Sequence, residues 1–270
     1  MKIPEGFLYK DFGSSLVLVR EDLKDSLTPF LTQPLSDFEL KSKSLHWHFG
    51  RGPVPVVSLD SGHKAVLRTY RHGGLLRGLT RDVFLGLLPR PFRELALSKA
   101  AIDKGVKTPP VLGASVFPVI GPIYRGLLAT EELPEARDGL SILSQAAELR
   151  WKQRRQLLRV LLREAGKTIA RAHNVGLIHT DLNVKNLVVT AEPISVFILD
   201  LDRGRLERGS LNDGQRRAQL KRLNRSLQKV SRENRLTSLS KREALFFVDA
   251  YARETGKSAR DILELFGGWC

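Results

Sequence analysis

One stretch in the second half of the chain, HTDLNVKNLVV at residues 179–189, constrains the fold most. It places a histidine, an aspartate and two asparagines within eight residues and then turns apolar, as a strand does. A second apolar run, SVFILD, follows and brings Asp200 to the end of another strand. A carboxylate in that position is costly to bury unless it binds a cation or a hydrogen-bond donor. The pattern therefore predicts a loop and two strands whose polar residues form a site.

The residue types in this stretch point to phosphate chemistry. Asn186 and Asp200 carry the oxygen ligands that Mg²⁺ prefers, with substrate phosphates completing the coordination. Asp181 then remains available to orient and deprotonate a hydroxyl. The spacing H-x-D-x-x-x-x-N, followed by a strand-borne aspartate, is that of protein-kinase-like enzymes. His179 is a second catalytic candidate, although bracing the loop is the favoured role for it. In the alternative interpretation, His179 packs in a core and Asp181 caps a turn.

The length, the hydrophobic content and the cysteine count limit the class of protein. A chain of 270 residues, 42% hydrophobic, suits one large domain or two lobes with a real core. No window approaches the ~20 apolar residues of a membrane span, and the N-terminus lacks the apolar core of a signal peptide, so export is not expected. Cys270 is the single cysteine, which excludes an internal disulfide framework and fits a reducing cytosol.

The formal net charge of +15 predicts a phosphate-rich partner: nucleic acid, a nucleotide or an anionic membrane face. A merely basic surface is the alternative. Residues 203–243 hold 13 Lys/Arg against 4 Asp/Glu. Six of these cations recur at spacings that crowd one helical surface: Arg216, Arg217, Lys221, Arg222, Arg225 and Lys229. A second basic group flanks the apolar run VFLGLLPRPF: Arg77, Arg81, Arg90 and Arg93. Packing inside a lobe is the favoured role for the apolar residues of that run, Phe84, Leu85, Leu87 and Leu88, and contact with a membrane interface is the alternative.

The order of predicted elements suggests two lobes that meet near residue 131. PVPVVSL and KAVLRTY read as strands joined by a turn at DSGH, and residues 90–105 as a helix that ends at Gly105. KTPPVLGASVF and IYRGLLATEEL read as an extended pair. Residues 140–176 carry the strongest helical pattern, with an apolar stripe at Leu157, Leu158, Leu161, Leu162, Ala165 and Ile169. A strand pair and a basic helical tail follow.

Four segments together carry a family resemblance: HTDLNVKNLVV, FILDLDRGRL, LKRLNRSLQK and, upstream, LRTYRHGGLLRGL. Over residues 45–255 the sequence resembles the lipopolysaccharide kinase (Kdo/heptose kinase) family, most closely the kinases of 3-deoxy-D-manno-octulosonic acid (Kdo). The resemblance implies an α+β, bilobal protein-kinase-like fold. Residues 1–130 would form a small antiparallel-sheet N-lobe, and residues 131–270 a mainly helical C-lobe.

The resemblance also implies roles for particular residues, with ATP and Mg²⁺ as cofactors. Asp181 would be the catalytic base, and Asn186 and Asp200 would hold the metal ions. Glu94 would pair with the cationic side chain of the third strand. Two further segments would contact the nucleotide. Gly50 and Gly52 would be a G-x-G remnant of the glycine-rich turn, and Thr130–Leu133 would be the hinge, with Glu131 and Leu133 as adenine contacts.

Three departures from the usual kinase pattern matter. Arg68 stands where most kinases carry lysine; it is the expected phosphate anchor, with Lys64 as the fallback. Asn183 replaces the lysine that protein kinases place two residues after the base. No A-P-E segment follows Asp200. The last two departures argue against a protein substrate.

The expected reaction is transfer of the ATP γ-phosphoryl group to a Kdo hydroxyl of a lipid-linked acidic sugar. The basic patch would contact an anionic membrane surface, at the cytoplasmic face of a bacterial inner membrane; no protein partner is expected. The alternatives are a kinase of heptose or another small molecule, an atypical RIO-like protein kinase and a nucleic-acid-binding pseudokinase. Nucleic acid is disfavoured because the basic residues lack clustered exposed aromatics.

Overall fold

The computed structural model describes residues 2–34, 54–70, 82–233 and 239–266. The chain separates into two compact units: residues 1–100 with 109–132, and residues 101–108 with 133–270. The predicted lobe boundary at residue 130 stays a prediction. The expectations for Gly50, Gly52, Arg77 and Arg81 lie outside the described residues.

An antiparallel sheet is the centre of the first unit, in the order β1-β2-β6-β7-β4-β3, with β5 pairing also with β7. Its strands are β1 (Phe7–Asp11), β2 (Leu16–Arg20), β3 (Val56–Ser58), β4 (Lys64–Thr69), β5 (Phe84–Leu85), β6 (Val111–Ile120) and β7 (Ile123–Glu131). Two helices accompany them in the described part, α1 (Lys24–Leu31) and α2 (Arg90–Asp103). Side chains alternate between the two faces of each strand, so each face can carry its own core.

Each face of this sheet has a helix on it. On one face, Leu67 and Leu127 pack in a buried cluster with Leu27 and Leu31 of α1. On the other face, Leu128 and Tyr124 pack with Phe92 and Leu95 of α2. Burial of these side chains is the main favourable contribution to the stability of this unit.

The predicted β3–β4 hairpin, the helix over 90–105 and the β6–β7 pair are confirmed. Gly105 follows α2 with a φ of +79°, a backbone conformation that glycine adopts at little cost. The hairpin β1–β2 and helix α1 lie within residues 1–44, for which the sequence predicted no helices or strands. They extend the sheet, because β2 pairs with β6.

Helices dominate the second unit. They are α3 (Gly139–Glu148), α4 (Trp151–Asn174), α5 (Asp213–Glu233), α6 (Lys241–Thr255) and α7 (Ala259–Phe266). The described part of this unit also contains five short strands: β8 (Arg137–Asp138), β9 (Leu177–Ile178), β10 (Leu187–Thr190), β11 (Ser195–Ile198) and β12 (Arg205–Leu206). Strand β10 pairs with β11 and β8, and β9 pairs with β12.

The single helix expected over residues 140–176 is two helices. Leu149 and Arg150 are both extended, and they separate α3 from α4. The two helices serve different neighbours: α3 packs on β8 and β10, whereas α4 packs on α6 and β11. One straight helix could not bury both faces, so the chain turns between them. Of the predicted stripe on α4, Leu157 alone is half-buried and the rest is buried.

Candidate active site

The loop that opens the site is shaped by Asn183. Its Oδ1 accepts from the backbone N–H groups of Lys185 (2.9 Å) and Asn186 (3.1 Å), which caps a 3₁₀ turn over Val184–Asn186. Its Nδ2 donates to Oδ2 of Asp181 at 2.9 Å. The residue noted in the sequence as a departure from protein kinases therefore holds both the turn and the carboxylate of Asp181, which is exposed. Sequence reasoning gave Asn183 no such role, although Asn at an N-cap position is a readable signal.

His179 is buried and ties the loop to a neighbouring strand end. Its Nε2 lies 2.7 Å from the carbonyl oxygen of Leu199, and its Nδ1 accepts from the backbone N–H of Asp181 at 3.1 Å. These partners require the proton on Nε2. The backbone N–H of His179 donates to Oε1 of Gln219 on α5 at 2.8 Å. These contacts are those of a loop brace, and the catalytic role of His179 stays a prediction.

Asn186 is fully buried between the loop and the strand pair. Its Nδ2 donates to the carbonyl oxygen of Asp181 at 2.7 Å, and its own carbonyl accepts from the N–H of Leu199 at 2.8 Å. Its Oδ1 is buried without a hydrogen-bond partner in the described structure. A buried carbonyl oxygen without a donor is destabilising, so a ligand that uses this oxygen would remove the penalty.

Asp200 lies beside Asn186. Leu187 pairs with Ile198, so Asn186 just before β10 and Asp200 just after β11 occupy the same end of one hairpin. Asp200 has a φ of +66°, which costs a non-glycine residue about 1–2 kcal/mol and is typical of functional sites. The structure thus brings Asp181, Asn186 and Asp200 together in the second unit.

The donor set of this group fits a hard cation. All three side chains offer oxygen, which is what Mg²⁺ selects. Within the described ranges, no three His, Cys, Asp or Glu side chains cluster as a complete metal site. Mg²⁺ usually keeps water and substrate phosphates as ligands beside one or two protein oxygens, so Asn186 and Asp200 would suffice to hold it.

In the first unit, Arg68 and Glu94 form an ion pair. Nη2 of Arg68 lies 2.5 Å from Oε2 of Glu94, and the hydroxyl of Tyr70 donates to the same oxygen. The guanidinium carbon of Arg68 also lies 5.2 Å from the centre of the Tyr70 ring. Glu94 is buried on α2, where a lone carboxylate would be costly. Sequence reasoning missed Tyr70, although its position two residues after Arg68 puts it on the same face of the chain.

Lys64, the other candidate anchor, stands at the start of β4 and is exposed. Its Nζ lies 3.6 Å from Oε2 of Glu132. Lys64 and Arg68 are four residues apart on one strand and so share a face. The choice between them stays open.

The two predicted adenine contacts fall in different units: Glu131 in the first and Leu133 in the second. The carboxylate of Glu131 pairs with Nδ1 of His63 at 2.8 Å, and its N–H donates to the carbonyl of Pro110 at 2.8 Å. The carbonyl of Leu133 accepts from the N–H of Ala136 at 3.2 Å. Because the Glu131 N–H is already used, it is not a ready donor for a base.

Two expectations about the surface are wrong. Arg216 is buried, because its guanidinium donates to the Tyr251 hydroxyl (2.9 Å), to Oδ1 of Asn174 (2.9 Å) and to the Leu211 carbonyl (2.9 Å). The exposed cations of α5, called the basic surface below, are Arg217, Lys221, Arg225, Lys229 and Arg232.

The second correction concerns the apolar run in the first unit. Packing inside a lobe was the favoured role for Phe84, Leu85, Leu87 and Leu88, and only Phe84 is buried. It packs with Tyr70 and Tyr124, whereas the three leucines are exposed.

Near Arg216, burial shifts the pKa values of His173 and Tyr251. Burial, and second to it the nearby charge of Arg216, lower the pKa of His173 to about 3. Burial raises the pKa of the Tyr251 hydroxyl to about 12. Nδ1 of His173 lies 2.7 Å from that hydroxyl. Histidine, tyrosine and arginine here form a buried polar network that joins α4, α5 and α6.

The fold and this arrangement of side chains define a protein-kinase-like phosphotransferase. The chain is similar to the solved structure of WaaP in complex with acyl carrier protein, with a TM-score of 0.52 and 19% identity over 82% of this chain and 83% of that chain. That similarity confirms the α+β kinase-like fold class. The profile of the lipopolysaccharide kinase (Kdo/WaaP) family matches residues 51–251, and the chain belongs to this family.

Curated relatives carry a more specific name. The 3-deoxy-D-manno-octulosonic acid kinase of Vibrio parahaemolyticus is 33% identical over 203 residues, which are 73% of this chain and 78% of that protein. The enzyme of the same name from Vibrio vulnificus is 33% identical over 223 residues, which are 82% and 88%. Among the residues that the structure describes, no helix has the length and apolar content needed to cross a bilayer.

Proposed function

We propose that this enzyme transfers the γ-phosphoryl group of ATP to a hydroxyl of Kdo in the lipid-linked inner core of lipopolysaccharide. The observation that carries the proposal is the grouping of Asp181, Asn186 and Asp200 at the open end of one hairpin. Relatives that are 33% identical over 73% and 82% of this chain are named Kdo kinases, which supports this acceptor.

Asp181 is the residue proposed to meet the acceptor. Its carboxylate is exposed, and Asn183 fixes one of its two oxygens. It orients the sugar hydroxyl and takes its proton as the new oxygen–phosphorus bond forms and the bond to the leaving ADP breaks. Because positioning is most of what a kinase contributes, the Asn183 contact matters as much as the acidity of the carboxylate.

Asn186 and Asp200 are the residues that would hold Mg²⁺. The unpartnered Oδ1 of Asn186 and the carboxylate of Asp200 supply oxygen ligands, and ATP would supply the others. Mg²⁺ held by these two residues would neutralise the charge that develops on the transferred and leaving oxygens. His179 steadies both segments through Leu199 and Asp181.

Arg68 is proposed to bind the non-transferred phosphates. A guanidinium can donate to two phosphate oxygens at once, and Glu94 with Tyr70 limits its rotation.

Positively charged side chains are proposed to bind the Kdo acceptor. Kdo carries a carboxylate and lies next to phosphorylated lipid A, so its binding favours exposed cations such as the basic surface. The same charge would draw the enzyme to the anionic cytoplasmic face of the inner membrane.

The deciding experiment measures transfer of labelled phosphate from ATP to a Kdo-bearing lipid A precursor, with a heptose-bearing core as the competing acceptor. Transfer to the Kdo acceptor alone is expected. Asp181→Ala should abolish transfer while ATP still binds, whereas Asp200→Ala should lose Mg²⁺-dependent ATP binding. Asp249→Ala, at an exposed position of α6, is the control and should behave as the wild type. Transfer only to heptose would replace the acceptor, and turnover by Asp181→Ala would remove the proposed base.

A further inference from the structure

Among the residues that the structure describes, five large apolar side chains are exposed at one end of the first unit. They are Leu85 (75% exposed), Leu87 (92%), Leu88 (58%), Val119 (52%) and Ile120 (70%), called the apolar tip below. Single exposed apolar residues are ordinary, but a group of them marks a contact surface.

The strand register brings these residues together although they come from two distant segments. Leu85 pairs with Ile123 across β5 and β7, and Ile120 pairs with Ile123 across β6 and β7. Residues directly opposite each other point to the same face, so these three side chains form one row across three strands. Val119 lies at the irregularity of β6, between Pro118 and Ile120. A hydrogen bond from the N–H of Gly86 to the carbonyl of Pro122 (3.1 Å) holds the loop that carries Leu87 and Leu88 against the β6–β7 turn.

The row is exposed because the covering helix lies elsewhere. Ile123 and Leu127 are four residues apart on β7 and so share a face. At Leu127 this face packs in the cluster that contains Leu27 and Leu31 of α1. At Ile120 the same face is open to solvent, and Ile123 between them is half-buried. Phe84 and Tyr124 pack on the opposite face of the sheet at this end. They therefore do not cover the exposed row.

Positive charge borders the tip. Arg93 is exposed on the first turn of α2, and Arg125 follows Tyr124 on β7 with its side chain 47% exposed. Arg90 lies over the Phe84 ring, with its guanidinium carbon 4.9 Å from the ring centre. Asp82 pairs with Arg125 at 3.0 Å and is the only acidic residue in the described stretches 82–93 and 117–125.

We propose that the apolar tip inserts into the interface of an anionic lipid bilayer, with Arg90, Arg93 and Arg125 at the level of the lipid phosphates. Leucines that project from a turn can enter a fluid acyl region without a complementary groove, and arginines around them match lipid phosphate. The chain's charge of +15 favours the same anionic surface. This inference deepens the proposed function. It rests on that function at one point, because a lipid-linked acceptor requires the enzyme to work at a membrane.

Vesicle flotation tests the proposal. Wild type is expected to float with vesicles of phosphatidylglycerol and phosphatidylcholine, and weakly with phosphatidylcholine alone. The double variant Leu87→Ser/Leu88→Ser keeps the net charge and removes two exposed side chains, so it should fold normally and bind about 10-fold or more weakly. Trp151→Ser, which removes an exposed aromatic of the second unit, is the matched control and should bind as the wild type. Unchanged binding by the double variant would overturn the proposal.

A labelled cysteine reports insertion directly. In a Cys270→Ser background, an environment-sensitive dye on Leu87→Cys should shift to the blue when anionic vesicles are added, and the same dye on Trp151→Cys should not. Equal shifts at both positions, or none at position 87, would contradict insertion. A dimer in sedimentation velocity that the double variant abolishes, without vesicle binding by the wild type, would assign the tip to a second copy of the chain instead.

Turnover on a water-soluble, deacylated Kdo acceptor separates this inference from the proposed function. The double variant should phosphorylate that acceptor at the wild-type rate and lose rate only on acceptors embedded in vesicles. A wild-type enzyme that phosphorylates no Kdo acceptor contradicts the proposed function, and flotation then decides the role of the tip alone.

Discussion

The imidazole of His179 is hydrogen-bonded to the carbonyl oxygen of Leu199, at 2.7 Å and across 20 residues of sequence. Leu199 also donates its N–H to the carbonyl of Asn186 at 2.8 Å. Leu199, which immediately precedes Asp200, is thus bonded through both its carbonyl and its N–H to the loop that carries Asp181. The proposed base and the proposed metal ligands share one rigid frame, which is how a static site keeps reacting groups in register.

The first prediction concerns this frame. His179→Leu removes both ring hydrogen bonds and is expected to lower kcat about 10- to 100-fold, because Asp181 and Asp200 lose their common brace. His179→Gln keeps a donor that can reach Leu199 and should retain more activity. Steady-state kinetics at constant pH, with circular dichroism to verify folding, provides the measurement. Equal losses in both variants would argue for direct chemistry by the imidazole.

The second prediction distinguishes the two candidate phosphate anchors. Arg68→Lys keeps the positive charge, but an ammonium group cannot donate to Glu94 and to phosphate oxygens at once as a planar guanidinium can. The KM for ATP should therefore rise about 10-fold. Lys64→Met removes an exposed cation whose contact with Glu132 is long, and it should change the KM less than 2-fold, as is usual for exposed pairs. A larger effect at Lys64 than at Arg68 would move the anchor to Lys64.

The third prediction compares two neighbouring arginines of α5. Arg216→Ala leaves the Tyr251 hydroxyl and Oδ1 of Asn174 without their donor and should lower the free energy of unfolding by about 2–4 kcal/mol. Arg217→Ala, at an exposed position, should change it by no more than about 0.5 kcal/mol. Urea unfolding of both variants gives the values. Similar small effects would mean that the buried guanidinium contributes little to stability.

The fourth prediction concerns pH. Burial lowers the pKa of His173 to about 3 in the folded chain, whereas the unfolded histidine titrates near 6.5. Between these values the unfolded chain binds a proton that the folded chain does not. The contribution to stability is therefore complete above about pH 6.5 and is lost as the pH falls toward 3, by up to about 1.4 kcal/mol per pH unit.

The matched variant for this prediction is His173→Gln, which cannot titrate. Its neighbour Tyr251 keeps one charge state over this range, since burial raises the pKa of its hydroxyl to about 12. Urea unfolding at pH 7, 6 and 5 should show a shallower pH dependence for the variant than for the wild type. Parallel curves would indicate that folding does not lower the pKa of His173.

Local spacing was enough to predict that Asp181, Asn186 and Asp200 lie close together, whereas their chemical roles stay predictions. Asp181, Asn183 and Asn186 lie within one loop, so their mutual contacts follow from a few backbone angles. The β10–β11 hairpin is also local, and it sets Asp200 beside Asn186. The same holds for the β3–β4 hairpin and the helix that begins at Arg90, whose periodicity is visible in the letters.

Contacts between distant segments could not be read this way. The sequence indicated that Glu94 pairs with a strand cation, but the third partner, Tyr70, emerged only when α2 packed on the sheet. Arg216 has the same helical spacing as its exposed neighbours, and its burial depends on α6 lying against that one position. The break at Leu149 and Arg150 likewise follows from which neighbours α3 and α4 pack against.

By itself, the sequence determined the α+β class, the kinase-like order of motifs and the oxygen-rich loop, because each depends on residues close together in the chain. The tertiary structure alone decided which charged and apolar side chains are buried. Leu85 and Ile120 are as apolar as Leu127, yet they remain exposed because no described helix covers their end of the sheet. Burial is a property of the neighbours that a fold supplies, and spacing along the chain does not contain it.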